Sequence, residues 1–78
     1  MLSLYEYNQL SFAKRASMLW EHGEFITNTK GESAAYTLYG LFGYYVEVVL
    51  VDSEITEITP FKLGERLDKY LNQISITD

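Results

Sequence analysis

Four groups of side chains in this sequence are of the types that do chemistry. His22 stands beside Glu21 and Glu24, an imidazole with two carboxylates close by in sequence. Such a set offers a general base or a metal ligand, but a base needs a partner that the fold holds in place. A histidine in the last turn of a helix has an ordinary use as well, since its charged form is favoured by the helix dipole. We read His22 in that second way. Asp52, Glu54 and Glu57 gather at a turn. Their spacing matches no calcium-binding loop and the turn glycine of such a loop is missing, so they read as a solvated hairpin tip. Lys62, Arg66 and Lys69 follow i, i+4, i+7 and would suit phosphates, but Glu65 and Asp68 are interspersed with them, which reads as a salt-bridged outer face. The fourth is Glu47, a lone carboxylate inside the most apolar run of the chain, "LYGLFGYYVEVVLVD" from Leu38 to Asp52. No glycine-rich phosphate loop, nucleophile elbow or standout carboxylate pair accompanies these groups. The expectation is a protein that is not an enzyme and carries no cofactor or metal.

Composition narrows the field further. Seventy-eight residues make one domain, spanning residues 1–78. A chain this short buries only about 60–65% of its unfolded surface, and small domains usually add disulfides, a metal or oligomerisation. With no cysteine and one histidine, disulfides and thiolate or histidine-rich metal sites are closed within a single chain, and oligomerisation is left. The lack of cysteine fits a reducing compartment. The N-terminal "MLSLYEYNQL" has no basic start, and Glu6 and Asn8 break its apolar run, so it does not read as a signal peptide. No apolar run approaches the roughly 20 residues of a membrane helix. A cytoplasmic protein without membrane contact is expected. The net charge of −5 is uneven: residues 1–30 and 62–78 each sum to zero, while residues 31–61 hold Glu32, Glu47, Asp52, Glu54 and Glu57 with no base. That argues against a nucleic-acid partner.

These groups need elements to position them. Phe12, Ala13, Ala16, Leu19 and Trp20 form one stripe at helical period, with Ser11 as N-cap and Gly23 as the residue that ends the helix. Ser3 and Glu6 have capping-box spacing, so Leu4–Leu10 reads as a short helical turn or as a leader that packs Tyr5 and Tyr7 on the core. From Glu24 onward, "EFITNTK", "AAYTLYGLF", "YYVEVVLVD" and "EITEI" read as four short strands joined by tight connections, an antiparallel meander. Leu63, Leu67, Tyr70, Leu71 and Ile74 then share one face of a last helix. Pro60 is either the end of the fourth strand or the first helical residue behind a Thr59 cap. The fold class expected is α+β: a four-stranded antiparallel meander with N- and C-terminal helices packed on one face.

Alternation along the third strand sets Val46, Val48 and Leu50 on one side and Tyr45, Glu47, Val49 and Val51 on the other. We place the purely apolar set under the helices. The second strand then has two registers. The one that gathers polar atoms together puts Tyr36, Leu38 and Gly40 in the core and Tyr39 across from Glu47. In that register Tyr39, Leu41, Tyr45, Glu47, Val49 and Val51 form an outer patch that reads as an interface for a second copy or another protein, the alternative being that the N-terminal segment or one helix covers it and makes it core. In such an interface Glu47 meets its mate or a tyrosine hydroxyl, because an unpaired buried carboxylate is costly.

The segments "LWEHGEFI", "YTLYGLFGYYVEVVLVD" and "ITPFKLGERLDKYL" together resemble a group of short, functionally uncharacterised bacterial proteins, over roughly Leu10 to Leu71. The marks are Trp20, Gly23, the Tyr-Val-Glu-Val stretch and the Leu-Asp-Lys-Tyr-Leu ending. The resemblance implies no activity and transfers no site residue. The function expected is therefore a non-enzymatic interaction module that homodimerises or pairs with another protein. Its alternatives are a small-ligand binder or enzyme with a helix–sheet pocket and a nucleic-acid accessory protein.

Overall fold

The computed structural model describes residues 1–62 and Tyr70. Two helices, α1 (Leu4–Gln9) and α2 (Phe12–His22), precede four strands, β1 (Glu24–Lys30), β2 (Ala35–Leu41), β3 (Tyr44–Val51) and β4 (Glu54–Phe61). The strands form one antiparallel sheet in the order β1-β2-β3-β4, and the fold is α+β. The C-terminal helix expected after Pro60 lies outside the described residues except for Tyr70, which is helical.

Local chemistry accounts for the helix ends. Ser3 Oγ accepts from the Glu6 N–H at 3.1 Å and Glu6 Oε1 accepts from the Ser3 N–H at 2.9 Å, a complete capping box that makes a helix of the first segment. Ser11 caps α2 by accepting from the Lys14 N–H at 3.2 Å. Between them, Arg15 Nη1 donates to the carbonyls of Asn8 and Leu10 at 3.3 and 3.2 Å, placing a cation on the open carbonyls at the end of α1. Gly23 ends α2, but not in the left-handed conformation usual for a terminating glycine: its φ is −77°. What demands glycine is space, since a Cβ there would lie 2.7 Å from the Leu19 carbonyl oxygen.

Two two-residue turns set the sheet register. Phe42 and Gly43 have φ of 52° and 90°, and Asp52 and Ser53 have φ of 53° and 67°. Positive φ at both central residues is what a type I′ hairpin turn requires. The first turn pairs Leu41 with Tyr44, hence Tyr39 with Val46 and Leu38 with Glu47. This corrects the expected register. Tyr39 is across from Val46, not Glu47, and it is Tyr36 and Leu38 that share the Glu47 face. Pro60 pairs with Val46 inside β4, which is an edge strand among the described residues, where a missing N–H is tolerated, and Thr59 lies within that strand rather than at a helix start.

Both faces of the sheet are covered. On the helix face, Tyr7 and Leu19 pack on Leu41, Tyr44, Val46, Val48 and Ile58. The Tyr7 hydroxyl donates to the Arg15 carbonyl at 2.7 Å, and the Tyr44 hydroxyl donates to the carbonyls of Leu2 and Ser3 at 3.0 and 3.3 Å. Burial pushes the Tyr7 hydroxyl up to about 12, with nearby Arg15 pulling the other way. Burial also raises Tyr44, with Glu6 adding to it. On the opposite face, Tyr70 packs with Leu38 and Phe61, flanked by Tyr36 and Tyr45. The expected single helical layer therefore does not extend to Tyr70, which sits on the other side of the sheet from α1 and α2. The buried side of α2 also differs from the expected stripe. Leu19 is fully buried and Ala16 and Met18 are half-buried, while Phe12 and Trp20 are exposed.

Candidate interaction surface

The six residues expected to form one patch fall on two faces. Tyr39 and Leu41 lie on the helix face, where Leu41 is buried in the core and Tyr39 packs against its margin. Tyr45, Glu47 and Val49 lie on the other face, and Val51 stands exposed at the hairpin tip. A two-residue turn decides this. Moving register by one residue swaps every side chain to the other face.

Glu47 is at the centre of its face and has no solvent exposure. Its Oε2 accepts from the Tyr70 hydroxyl at 3.0 Å. The carboxylate thus meets a tyrosine hydroxyl, as expected for a buried position, but the tyrosine comes from its own chain. Tyr45 lies on the same face, 5.6 Å from Phe61, ring centre to ring centre.

His22 is about half exposed, 3.8 Å from Glu21 Oε1, with its ring 5.6 Å from that of Phe42. It shares an open trough of about 400 Å³ with Glu24, Gly40, Phe42, Tyr44 and Tyr45. A second open trough of about 440 Å³ runs past Lys30, Glu32, Leu50 and Asp52 at the other end of the sheet. Neither is enclosed enough to strip water from a small ligand. Glu54 and Glu57 are exposed on β4, and no cluster of three or more potential metal ligands occurs among the described residues. Lys62 is exposed, and Arg66 and Lys69 lie outside the described residues.

Among the described residues, three exposed large apolar side chains lie at the β1 side of the molecule. Phe25 is 59% exposed, Trp20 54% and Ile26 46%. Trp20 and Phe25 flank Tyr39 at ring distances of 6.0 and 6.2 Å. A bulge between Phe25 and Thr27 leaves Ile26 out of the ladder and turns it toward Gly40, on the opposite face. Among the described residues, β1 has a strand neighbour on one side only. The sequence carried a signal for this edge that residue types alone do not give. In any meander the first and last strands are edges, so large apolar groups on "EFITNTK" have only one strand beside them.

No helix among the described residues is long and apolar enough to cross a membrane. No protein-family model, curated protein or solved structure matches the chain.

Proposed function

We propose that the chain is a cytoplasmic, non-enzymatic protein-interaction module that works through β1 and the aromatic groups beside it. The observation that carries this reading is an edge strand bearing Phe25 and Ile26 exposed on its two sides, with Trp20 leaning over the neighbouring strand. Edge strands with apolar side chains pair readily with further chain, and aromatic residues dominate interface cores. The interface expected around Glu47 moves accordingly, because Tyr70 already occupies that face.

The test uses Trp20, the only tryptophan of the chain, as reporter. Extended peptides are selected by display against the folded protein and against a Phe25→Glu variant. The expected result is binders that shift Trp20 emission to the blue and lose most of their affinity for the variant. The reading is overturned if the wild-type chain selects no Phe25-dependent binder and does not self-associate.

A further inference from the structure

We infer that the β1 edge takes up an extended segment of a partner protein in which a large apolar residue is followed directly by lysine or arginine, and that the trough beside Glu24 receives the basic side chain. This rests on the reading of β1 as the working surface and adds the chemistry of the partner. The pairing of β1 with β2 sets out the two subsites. Phe25 pairs with Tyr39 and so lies on the helix face, where Trp20 also touches Tyr39. Glu24 pairs with Gly40, which pairs with Tyr45, so Glu24 lies on the Glu47 face. Beyond the bulge at Ile26, Thr27, Asn28 and Thr29 carry no charge. Side chains of a strand added to this edge alternate between the same two faces. The residue opposite Phe25 meets the aromatic groups, and its neighbour, opposite Glu24, meets the carboxylate. Opposite charges across a strand pair are favourable and like charges are not.

The carboxylate has a setting that suits a long cationic side chain. Gly40 carries no side chain, so the row is open between Glu24 and Tyr45, two strand spacings or about 10 Å apart. The open trough of about 400 Å³ at this end of the sheet is lined by Glu24, Phe42, Tyr45 and His22, and among the described residues no lysine or arginine lines it. A Cβ at Gly40 would lie 3.5 Å from Ile26 Cδ1, so Ile26 borders the gap and offers an apolar contact to the stem of the incoming side chain. The head gains the carboxylate and the nearby rings while keeping part of its water, which an open trough allows.

Charge complementarity selects a basic occupant over an acidic strand or a phosphate backbone. Glu21 Oε1 lies 3.8 Å from His22 Nε2 at the rim of the same trough and adds a second carboxylate there. The net charge of −5 draws basic partners toward the chain as a whole. The other end of β1 selects nothing, because Lys30 shares its trough with Glu32 and Asp52 and the signs are mixed. Antiparallel pairing continues the pattern of the whole sheet and is the more stable per residue. It places the base after the apolar residue, whereas parallel pairing would place it before.

The experiment selects randomised extended peptides by display against the full chain, Glu24→Lys and Glu57→Lys, with circular dichroism to confirm folding. Both positions are exposed, so neither change removes a core contact. Binders of the wild type are expected to share an apolar residue followed by lysine or arginine. Glu24→Lys is expected to select aspartate or glutamate at that second place. Glu57→Lys makes the same change of net charge on β4 and is expected to select as the wild type does. One binder is then synthesised with its base and with glutamate in its place, and both are titrated against Trp20 emission. The exchange should weaken binding to the wild type about three- to thirty-fold, and on Glu24→Lys the order should reverse. Phe25-dependent binders without a charge preference overturn the inference and leave the interaction module standing. So does a preference for base that Glu24→Lys leaves in place, one that Glu57→Lys removes as well, or a base that precedes the apolar residue. An absence of any Phe25-dependent binder removes the peptide-binding surface and the inference with it.

Discussion

On the helix face of the sheet, Tyr7 and Tyr44 turn their hydroxyls to main-chain carbonyls, at 2.7 Å from Arg15 and 3.0 Å from Leu2. On the opposite face Tyr70 turns its hydroxyl to the side chain of Glu47, at 3.0 Å. In both places an aromatic ring seals the sheet and its one polar atom finds an acceptor, as a buried tyrosine must. The acceptors differ in kind. A backbone carbonyl is present whatever residue supplies it, so the helix face depends on the path of the chain through α1 and α2. The carboxylate exists only because position 47 is glutamate, so the second face depends on two side chains chosen for each other. Deleting a partner on the helix face strands a neutral group, whereas deleting Tyr70 takes a donor from a fully buried carboxylate, the more expensive loss.

The comparison is tested most severely by removing each ring. Tyr7 has no exposure and Tyr70 has 1%. Tyr7→Ala and Tyr70→Ala are each expected to cost about 3–5 kcal/mol, the usual loss for a large aromatic in a core. Urea unfolding followed by circular dichroism measures both. Equal losses mean that the two faces are one cooperative core. A Tyr70→Ala variant within about 1 kcal/mol of wild type would show that the Glu47 face is a minor cover, since such a loss is too small for a packed aromatic.

Much of this architecture was legible because its signals are local. Ser3 with Glu6, Ser11 and Gly23 mark the helix ends in sequence and mark them in the fold. Four strands in antiparallel order follow from four apolar runs and three short breaks. The register was not legible, for two physical reasons. Alternation identifies the core face only when one face of a strand is wet, and in β3 the consecutive residues Val46, Glu47 and Val48 are all buried. The turn that fixes the register also gives no warning, since phenylalanine rarely adopts the left-handed conformation that Phe42 holds at φ 52°. Its ring lies 5.6 Å from His22 and 6.3 Å from Tyr44, contacts made by parts of the chain that local rules do not see. The Glu47 surface was misplaced with the register. Trp20 belongs to the apolar stripe of α2 and is nonetheless exposed, because helical periodicity counts apolar residues whatever the extent of the sheet beneath them.

Alkaline titration probes the helix face by a smaller margin. The Tyr7 hydroxyl is pushed up to about 12 by burial, above its ordinary value of 10.0. Between those values the unfolded chain releases a proton that the folded chain keeps. The stabilisation is therefore complete below pH 10 and is lost as pH rises, amounting to about 2–3 kcal/mol across the window. Tyr44 is raised by burial too and acts in the same direction. Urea midpoints measured from about pH 9 to pH 12 should fall for the wild type and fall less for Tyr7→Phe, which has no proton there to lose. An equally steep decline in the variant would assign the alkaline loss to groups other than Tyr7.

The finest test leaves both rings in place and removes only the hydroxyls. Tyr7→Phe forfeits a bond to a neutral carbonyl and should cost about 0.5–1.5 kcal/mol, whereas Tyr70→Phe forfeits a bond to a carboxylate and should cost about 1.5–3 kcal/mol. Shape is nearly unchanged in both, so the difference, about 1 kcal/mol, reports on the acceptor. Combining Tyr70→Phe with Glu47→Gln closes a double-mutant cycle whose coupling, expected at about 0.5–3 kcal/mol for groups in direct contact, isolates the pair from the packing around it. A coupling near zero, or a Tyr7→Phe loss as large as that of Tyr70→Phe, would mean that the two faces differ in where their hydroxyls point but not in what those bonds contribute.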